Sequence, residues 1–259
     1  MDLKAFFARL FGSQAHAATP TAASPDNRPS TTQTAETIAD DDPRNAAGYQ
    51  RLQAYWDAIG PSDRDLLTYL VNPQFQGAPA WPNTRQAYRI VRPKDSLIIA
   101  SDGLSDPFVG TDIAGKQGFG CEVYIEAPEL AGASFDDVRS SWAFAFIELL
   151  AQNIAHLGGL SQHIAKYRVL SLELPLSGAL PPEWLSANGT AGCLINLPVE
   201  GRPARIDDMP FGPVDILCAK LLTPAELADI VAGNADARSA LAERFNQSDT
   251  GHHSRLDRL

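Results

Sequence analysis

The chain has 259 residues, of which 44% are hydrophobic and 20% are charged, a composition that can bury one large core or two small ones. Its formal net charge is -10 at pH 7. Nucleic acids and anionic membranes are recognised by clustered Lys and Arg, so this charge disfavours both as partners. A basic protein partner is favoured instead, because an acidic surface speeds its encounter with a positive one.

The first 45 residues are predicted to lie outside the folded domain, which we place at 46–259. Residues 1–12 carry apolar side chains at helical spacing, namely Leu3, Phe6, Phe7, Leu10 and Phe11. They form either a frayed terminus or a short amphipathic helix that docks on a partner or a membrane surface. Residues 13–42 are rich in Ala, Thr, Ser, Pro and Asp, so we expect a disordered linker.

Two features predict a cytoplasmic protein without stable membrane insertion. No apolar run approaches the ~20 residues of a membrane-spanning helix, and Arg9 interrupts the apolar patch that a secretory signal would need. Cys121, Cys193 and Cys218 are far apart and form no CxxC pair. They are predicted to be small buried hydrophobic residues in a reducing compartment.

The first half of the folded domain is predicted to mix helices and strands. Apolar residues recur at helical spacing from Gly48 to Ile59, and Ser62 with Asp65 resembles a capping box that opens a second helix. Glycine and proline indicate a loop at 72–82. The predicted elements are helices at 48–59 and 63–71 and strands at 96–100 and 122–126.

The second half begins with the longest helical pattern, which is apolar on nearly all sides and therefore predicts a buried helix. Thr223, Pro224 and Glu226 form a capping box with proline at the first helical position. The predicted elements are helices at 142–155, 224–232 and 235–245 and strands at 167–174, 191–197 and 214–222.

No metal or other cofactor is expected from the pattern of histidines. His156 and His163 lie seven residues apart, and His252 and His253 are adjacent, but neither pair has a third ligand at the spacing of a metal site. The chain also lacks a G-x-S-x-G elbow, a P-loop, a G-x-G-x-x-G fingerprint and an H-E-x-x-H motif.

Asp102, Ser105 and Asp106 are the one group that could suggest acid–base chemistry. Beside Gly103 and Pro107, the same residues are typical of a turn held by hydrogen bonds from side chains to the backbone. The turn is the favoured interpretation, and an unrecognised hydrolase that uses these residues with a histidine is the alternative.

Five ordered motifs resemble the suppressor-of-fused domain family. They are GLSD at 103–106, GFGCEV at 118–123, the long apolar helix that begins at Trp142, PFGPV at 210–214 and LTPAEL at 222–227. The resemblance covers about 47–245. It implies one compact α+β domain, with a mixed sheet flanked by helices, that binds proteins and carries no active site.

The resemblance also bears on the ligand. The animal namesake sequesters transcription factors by gripping a peptide, whereas bacterial members commonly accompany secreted polymorphic toxins as immunity proteins. Where the animal protein grips its peptide with an aromatic residue and an acid, this chain has Asn153, Gln162 and His163. The resemblance therefore implies a different ligand, contacted by these three residues.

Two of the candidate contact regions have alternative interpretations. His163 is either a hydrogen-bonded structural histidine or part of the binding groove. Asp207 and Asp208 lie on a predicted loop, where they are either simply solvated or part of an acidic patch that meets a cationic partner.

Two binding functions follow. The first is an immunity protein that neutralises a cognate, possibly basic toxin domain by direct binding. The alternative is a cytosolic scaffold or adaptor that grips a partner peptide and is tethered by its N-terminal arm.

Overall fold

The fold is described by a computed structural model for residues 38–108, 118–158 and 160–259. The predicted helix at 1–12 and most of the predicted linker lie outside these residues. Within them there are five α-helices: α1 (Pro43–Asp57), α2 (Phe135–Arg139), α3 (Trp142–Leu157), α4 (Leu160–Tyr167) and α5 (Pro224–Asn246). The first helix begins five residues before the predicted start at Gly48.

The described residues also form eight strands in one sheet. They are β1 (Leu67–Thr68), β2 (Ala87–Val91), β3 (Leu97–Asp102), β4 (Cys121–Ala127), β5 (Leu170–Leu174), β6 (Ala191–Ile195), β7 (Arg205–Ile206) and β8 (Val214–Leu221). Their order is β1-β2-β3-β4-β8-β6-β5, and β7 pairs with β8. Strands β4 and β8 are parallel and the other pairs are antiparallel. The predicted α+β class with a mixed sheet is confirmed.

Alternation along the strands separates the two faces of the sheet. On β2, the ring of Tyr88 meets Phe144 of α3 edge-on at 5.2 Å, whereas the next residue, Arg89, donates to Gln53 of α1. Helix α5 shares a core cluster with α1, to which it contributes Ile230 and Leu241. The sheet therefore has α1 and α5 on one face and α3 on the other.

Helices α3 and α5 confirm the buried helix and the capping box that the sequence predicts. The buried positions of α3 follow helical spacing: Trp142, Ala143, Phe146, Ile147, Leu150, Ala151 and Ile154. The Thr223 side chain accepts from the Glu226 amide and Glu226 accepts from the Thr223 amide, which is the predicted capping box. Helix α5 departs from helical geometry at Asn234, between the two helices predicted there.

The helix predicted at 63–71 is wrong. Ser62 forms an isolated bridge with Val91, and Leu67 is buried in β1, which pairs with β2. Asp63 does not lie in the first turn of a helix, and its carboxylate instead pairs with Arg92 at 2.6 Å. Pairing with β2, a strand that the pattern did not predict, outweighs the local capping signal.

The strand predicted at 167–174 begins three residues later, at Leu170. Residues Leu160–Tyr167 form α4, and β5 begins at Leu170. Arg168 lies between them with φ of 63°, a left-handed conformation that ends a helix and redirects the chain. The segment around His163, which lies between the predicted helix at 142–155 and the predicted strand at 167–174, is therefore helical.

Two further expectations concern the core and membranes. Cys121, Cys193 and Cys218 are buried and free, as predicted. Within the described ranges, no single helix is long and apolar enough to cross a bilayer. Helices α3 and α4 reach that length and apolarity only together, and they are bent by 97° at their junction.

Candidate protein-interaction site

The GLSD and GFGCEV motifs meet at the start of β4. The Phe119 amide donates to the Leu104 carbonyl at 2.8 Å. Gly118 has φ of 45°, and a Cβ there would lie 2.3 Å from the Asp106 carbonyl oxygen. Only glycine allows this approach, so Gly118 serves backbone geometry.

Glu122 binds the turn from inside the protein. Its carboxylate accepts from the Ser101 hydroxyl at 2.5 Å, from the Gly103 amide at 3.1 Å, and from the Ser105 amide and hydroxyl at 2.9 and 2.6 Å. Burial, followed by the negative charge of Asp102, raises the pKa of Glu122 above its ordinary value. The motif acidic residue therefore holds the GLSD turn in place.

The turn carboxylates bind arginines. Asp102 pairs with Arg85 at 2.5 Å and with Arg89 at 2.7 Å, and Asp106 pairs with Arg85 at 2.9 Å. Burial raises the pKa of Asp106, against the opposing effect of Arg85. The predicted turn is present, since the Asp106 amide donates to the Gly103 carbonyl, but these ion pairs anchor its acidic side chains.

The same geometry bears on the hydrolase alternative. Asp102 is 1% exposed and Ser105 is 5% exposed, so a substrate has little access to either. The Ser105 hydroxyl donates to Glu122, a carboxylate that accepts several other hydrogen bonds. What the arrangement can do chemically is position a loop.

A shallow cleft lies directly over this turn. Its lining combines α1, the GLSD turn and the PFGPV motif: Asn45, Gly48, Tyr49, Leu52, Ser105, Asp106, Pro107, Met209, Pro210 and Phe211. The cleft encloses about 20 Å³, which is room for about one water molecule. Small-molecule pockets enclose about 300 Å³ or more, so this cleft is too small to hold a ligand of that size.

Arginines stack on the two aromatic rings of the cleft. The Arg85 guanidinium lies 4.3 Å from the ring centre of Tyr49, and that of Arg44 lies 4.9 Å from the ring centre of Phe211. Tyr49 is 38% exposed. Exposed tyrosine and arginine in a fixed arrangement are typical of the residues that contribute most to protein–protein binding.

The predicted residues Asp207 and Asp208 directly precede the Met209–Phe211 segment of the cleft. Asp208 pairs with Arg51 at 2.5 Å, and Asp207 pairs with Arg205 at 3.1 Å. Each carboxylate therefore has a cationic neighbour, and Arg205 also pairs with Asp215 at 3.3 Å. The four side chains of the Asp207 and Asp208 pairs are at least half exposed, so these pairs contribute little to stability and remain available to a partner.

The other predicted residues lie elsewhere. Asn153 is half-buried on α3. Its side-chain amide donates to the Leu149 carbonyl of the same helix at 2.8 Å. Gln162 and His163 are exposed on α4, where they line a shallow hollow with Lys166 and Tyr167. The structure does not join this group to Asp207 and Asp208, which pair with Arg205 and with Arg51 of α1.

Two features were missed by sequence reasoning. Leu70, Val71 and Phe75 are large apolar side chains exposed beside the edge strand β1, within or next to the segment predicted as a loop. The fold also brings a third potential ligand, Glu126, to the His252 and His253 pair. An alternation of apolar and polar residues is the only sequence signal that could have indicated the exposed apolar side chains. No motif spacing could have indicated the metal-ligand group, because more than 120 residues separate Glu126 from the two histidines.

Comparison of the chain with protein-family models, with curated proteins and with solved structures finds no match. The resemblance to the suppressor-of-fused family therefore rests on the sequence motifs alone.

Proposed function

We propose that this chain is a non-catalytic, cytoplasmic protein-binding domain of the suppressor-of-fused type that acts as an immunity protein. In this proposal it binds a cognate secreted toxin inside the cell, in one-to-one stoichiometry, and blocks its activity. The observation that carries the proposal is the cleft, which two motifs of the resemblance, GLSD and PFGPV, line together with α1.

The construction of the cleft supports binding rather than catalysis. Glu122, Arg85 and Arg89 direct their charges inward, toward the GLSD turn. Binding surfaces gain affinity when their side chains are fixed before the partner arrives, because less conformational entropy is then lost. A buried network that fixes Tyr49 through Arg85 suits this purpose.

Charge supports a basic partner. The net charge of -10 accelerates the encounter with a positive protein, while the anchors in the cleft determine the dissociation rate. Asp207 and Asp208 at the rim could exchange their present arginine partners for cations of the toxin. Their substitution would then change the association rate and its salt dependence more than the affinity.

The test is co-expression with the product of the adjacent reading frame. We expect the product to be toxic alone, harmless with this chain, and recovered with it on purification. The combined variant Tyr49→Ala, Phe211→Ala should lose protection. Its matched control is Gln162→Ala, His163→Ala on α4, which should protect as the wild type does.

Each other outcome is informative. A product that is neither toxic nor bound contradicts the immunity function. Protection that is lost only in the α4 variant would keep the function but move the interface to α3 and α4. Loss of cellular localisation on removing residues 1–45, with no toxin bound, would favour the adaptor alternative.

A further inference from the structure

A cluster of potential metal ligands lies at the far end of β4 from the cleft. Glu126 projects from β4, and His252 and His253 come from the segment after α5. The Nε2 atom of His252 lies 3.0 Å from Glu126 Oε2, and that of His253 lies 3.4 Å from Oε1. One ligand atom from each of the three residues lies within 4.8 Å of the others.

These separations match those of a zinc site. Zinc takes nitrogen and carboxylate oxygen at about 2.0–2.2 Å in tetrahedral geometry, which places neighbouring ligand atoms about 3.4 Å apart. The two measured separations are 3.0 and 3.4 Å. An ion would therefore need small side-chain movements in which each Nε2 turns from the carboxylate to the metal. The proton that Nε2 donates to Glu126 would pass to Nδ1 or to solvent.

The backbone around the histidines is held in place. Lys220 Nζ donates to the His253 carbonyl at 2.5 Å. The Ser254 amide donates to the Glu126 carbonyl at 2.8 Å, and the Ser254 hydroxyl accepts from the Leu221 amide at 2.9 Å. The rings are thus presented to Glu126 by a fixed segment, as a metal site of high affinity requires.

The carboxylate is also held from outside the cluster. Arg202 Nη1 lies 2.5 Å from Glu126 Oε2, and the Ser96 hydroxyl donates to Oε1. Partners of this kind orient ligating carboxylates in metal sites. The charge of Arg202 opposes a bound cation, so it should weaken the site without abolishing it.

We propose that Glu126, His252 and His253 form a binding site for one divalent transition-metal ion of the zinc type, which fastens the C-terminal segment to β4. The remaining coordination position would be open to water. Metal binding would make the C-terminal segment more resistant to opening and would leave the cleft at the other end of the strand unchanged.

The test uses the full-length chain after treatment with EDTA. Titration with ZnCl₂ against a chromophoric chelator should give one tight equivalent, and saturating Zn²⁺ should raise the midpoint of thermal unfolding by about 5 °C or more. His253→Gln should weaken binding by at least tenfold. The matched control His156→Gln removes an exposed histidine from α3 and should change nothing.

A second measurement covers variants that fail to fold. In the NMR spectrum of the wild type, Zn²⁺ should shift the ring-nitrogen resonances of His252 and His253 more than those of any other histidine. Arg202→Met should tighten binding, because it removes the competing cation. The proposal is overturned if the wild type binds no Zn²⁺, if His253→Gln binds as tightly as the wild type, or if other histidines carry the shifts.

Discussion

Strand β4 carries two buried glutamates, Glu122 and Glu126, whose environments differ in charge. They lie four residues apart on the same side of the strand, and they are 0% and 1% exposed. Glu122 accepts hydrogen bonds from hydroxyls and backbone amides. Glu126 faces Arg202 and two histidines.

The two pKa values consequently move in opposite directions. Burial and the charge of Asp102 raise the pKa of Glu122. For Glu126, donors that include a guanidinium outweigh burial and lower the pKa. Equal burial therefore does not fix the charge state of a carboxyl group; the charge of its partners does. One end of β4 supports a loop, and the other holds the C-terminal segment.

The largest expected effect is that of Glu126→Ala. Removing this carboxylate leaves the largely buried cation of Arg202 without its partner, which typically costs about 4 kcal/mol. Urea unfolding in the presence of EDTA measures the loss without any contribution from metal. The exposed Glu243→Ala variant on α5 is the control and should stay within about 0.5 kcal/mol of the wild type.

The next effect is that of Glu122→Ala, which leaves neutral donors unpaired in the interior. We expect a loss of about 3 kcal/mol in the free energy of unfolding, smaller than for Glu126→Ala because no cation loses its partner. The same urea experiment measures it. A loss larger than that of Glu126→Ala would contradict the contrast between the two ends of the strand.

A third prediction concerns pH. The pKa of Glu122 is raised in the folded chain above its ordinary value of 4.5, so the folded chain keeps this proton to higher pH than the unfolded chain. Its contribution to the free energy of unfolding therefore falls as pH rises above about 4.5, and becomes constant above the folded pKa. Glu122→Gln removes this dependence.

The measurement is urea unfolding of the wild type and Glu122→Gln at two pH values. We expect the stability advantage of the wild type over the variant to be larger near pH 4.5 than near pH 7.5. An advantage that grows with pH would mean that the pKa of Glu122 is lowered in the folded chain.

The smallest effect on stability is expected for the cleft. Tyr49 and Phe211 are only partly buried, so replacing both by alanine should cost about 2 kcal/mol, less than the loss of either glutamate. Thermal unfolding measures the change. A much larger loss would mean that the cleft rings support the fold, and the loss of protection by this variant could then not be assigned to binding.

Much of the fold could be predicted from local patterns. The apolar periodicity of α3 and the capping box at Thr223 depend on residues close in sequence, and both were predicted correctly. Strand β2 was missed because it is fully buried yet contains Arg89. That guanidinium is compensated by Asp102, a partner in another strand that no local pattern shows.

The candidate site was less predictable. The motifs indicated which residues belong together. The contacts of Gly118 and Glu122 with the GLSD turn depend on the antiparallel pairing of β3 with β4, and the place of PFGPV depends on the parallel pairing of β4 with β8. Asp207 pairs with Arg205, two residues before it, whereas the pairing of Asp208 with Arg51 depends on α1 meeting the segment after β7. Sequence spacing does not describe the Asp208 contact, so the local charge at this rim could not be predicted.

The central claim is that the cleft over the GLSD turn binds a protein partner, and direct titration of the purified toxin domain with this chain tests it. We expect one-to-one binding, weakened at least a hundredfold by Tyr49→Ala with Phe211→Ala and unchanged by Gln162→Ala with His163→Ala. Equal affinity of the folded cleft variant and the wild type would contradict the claim.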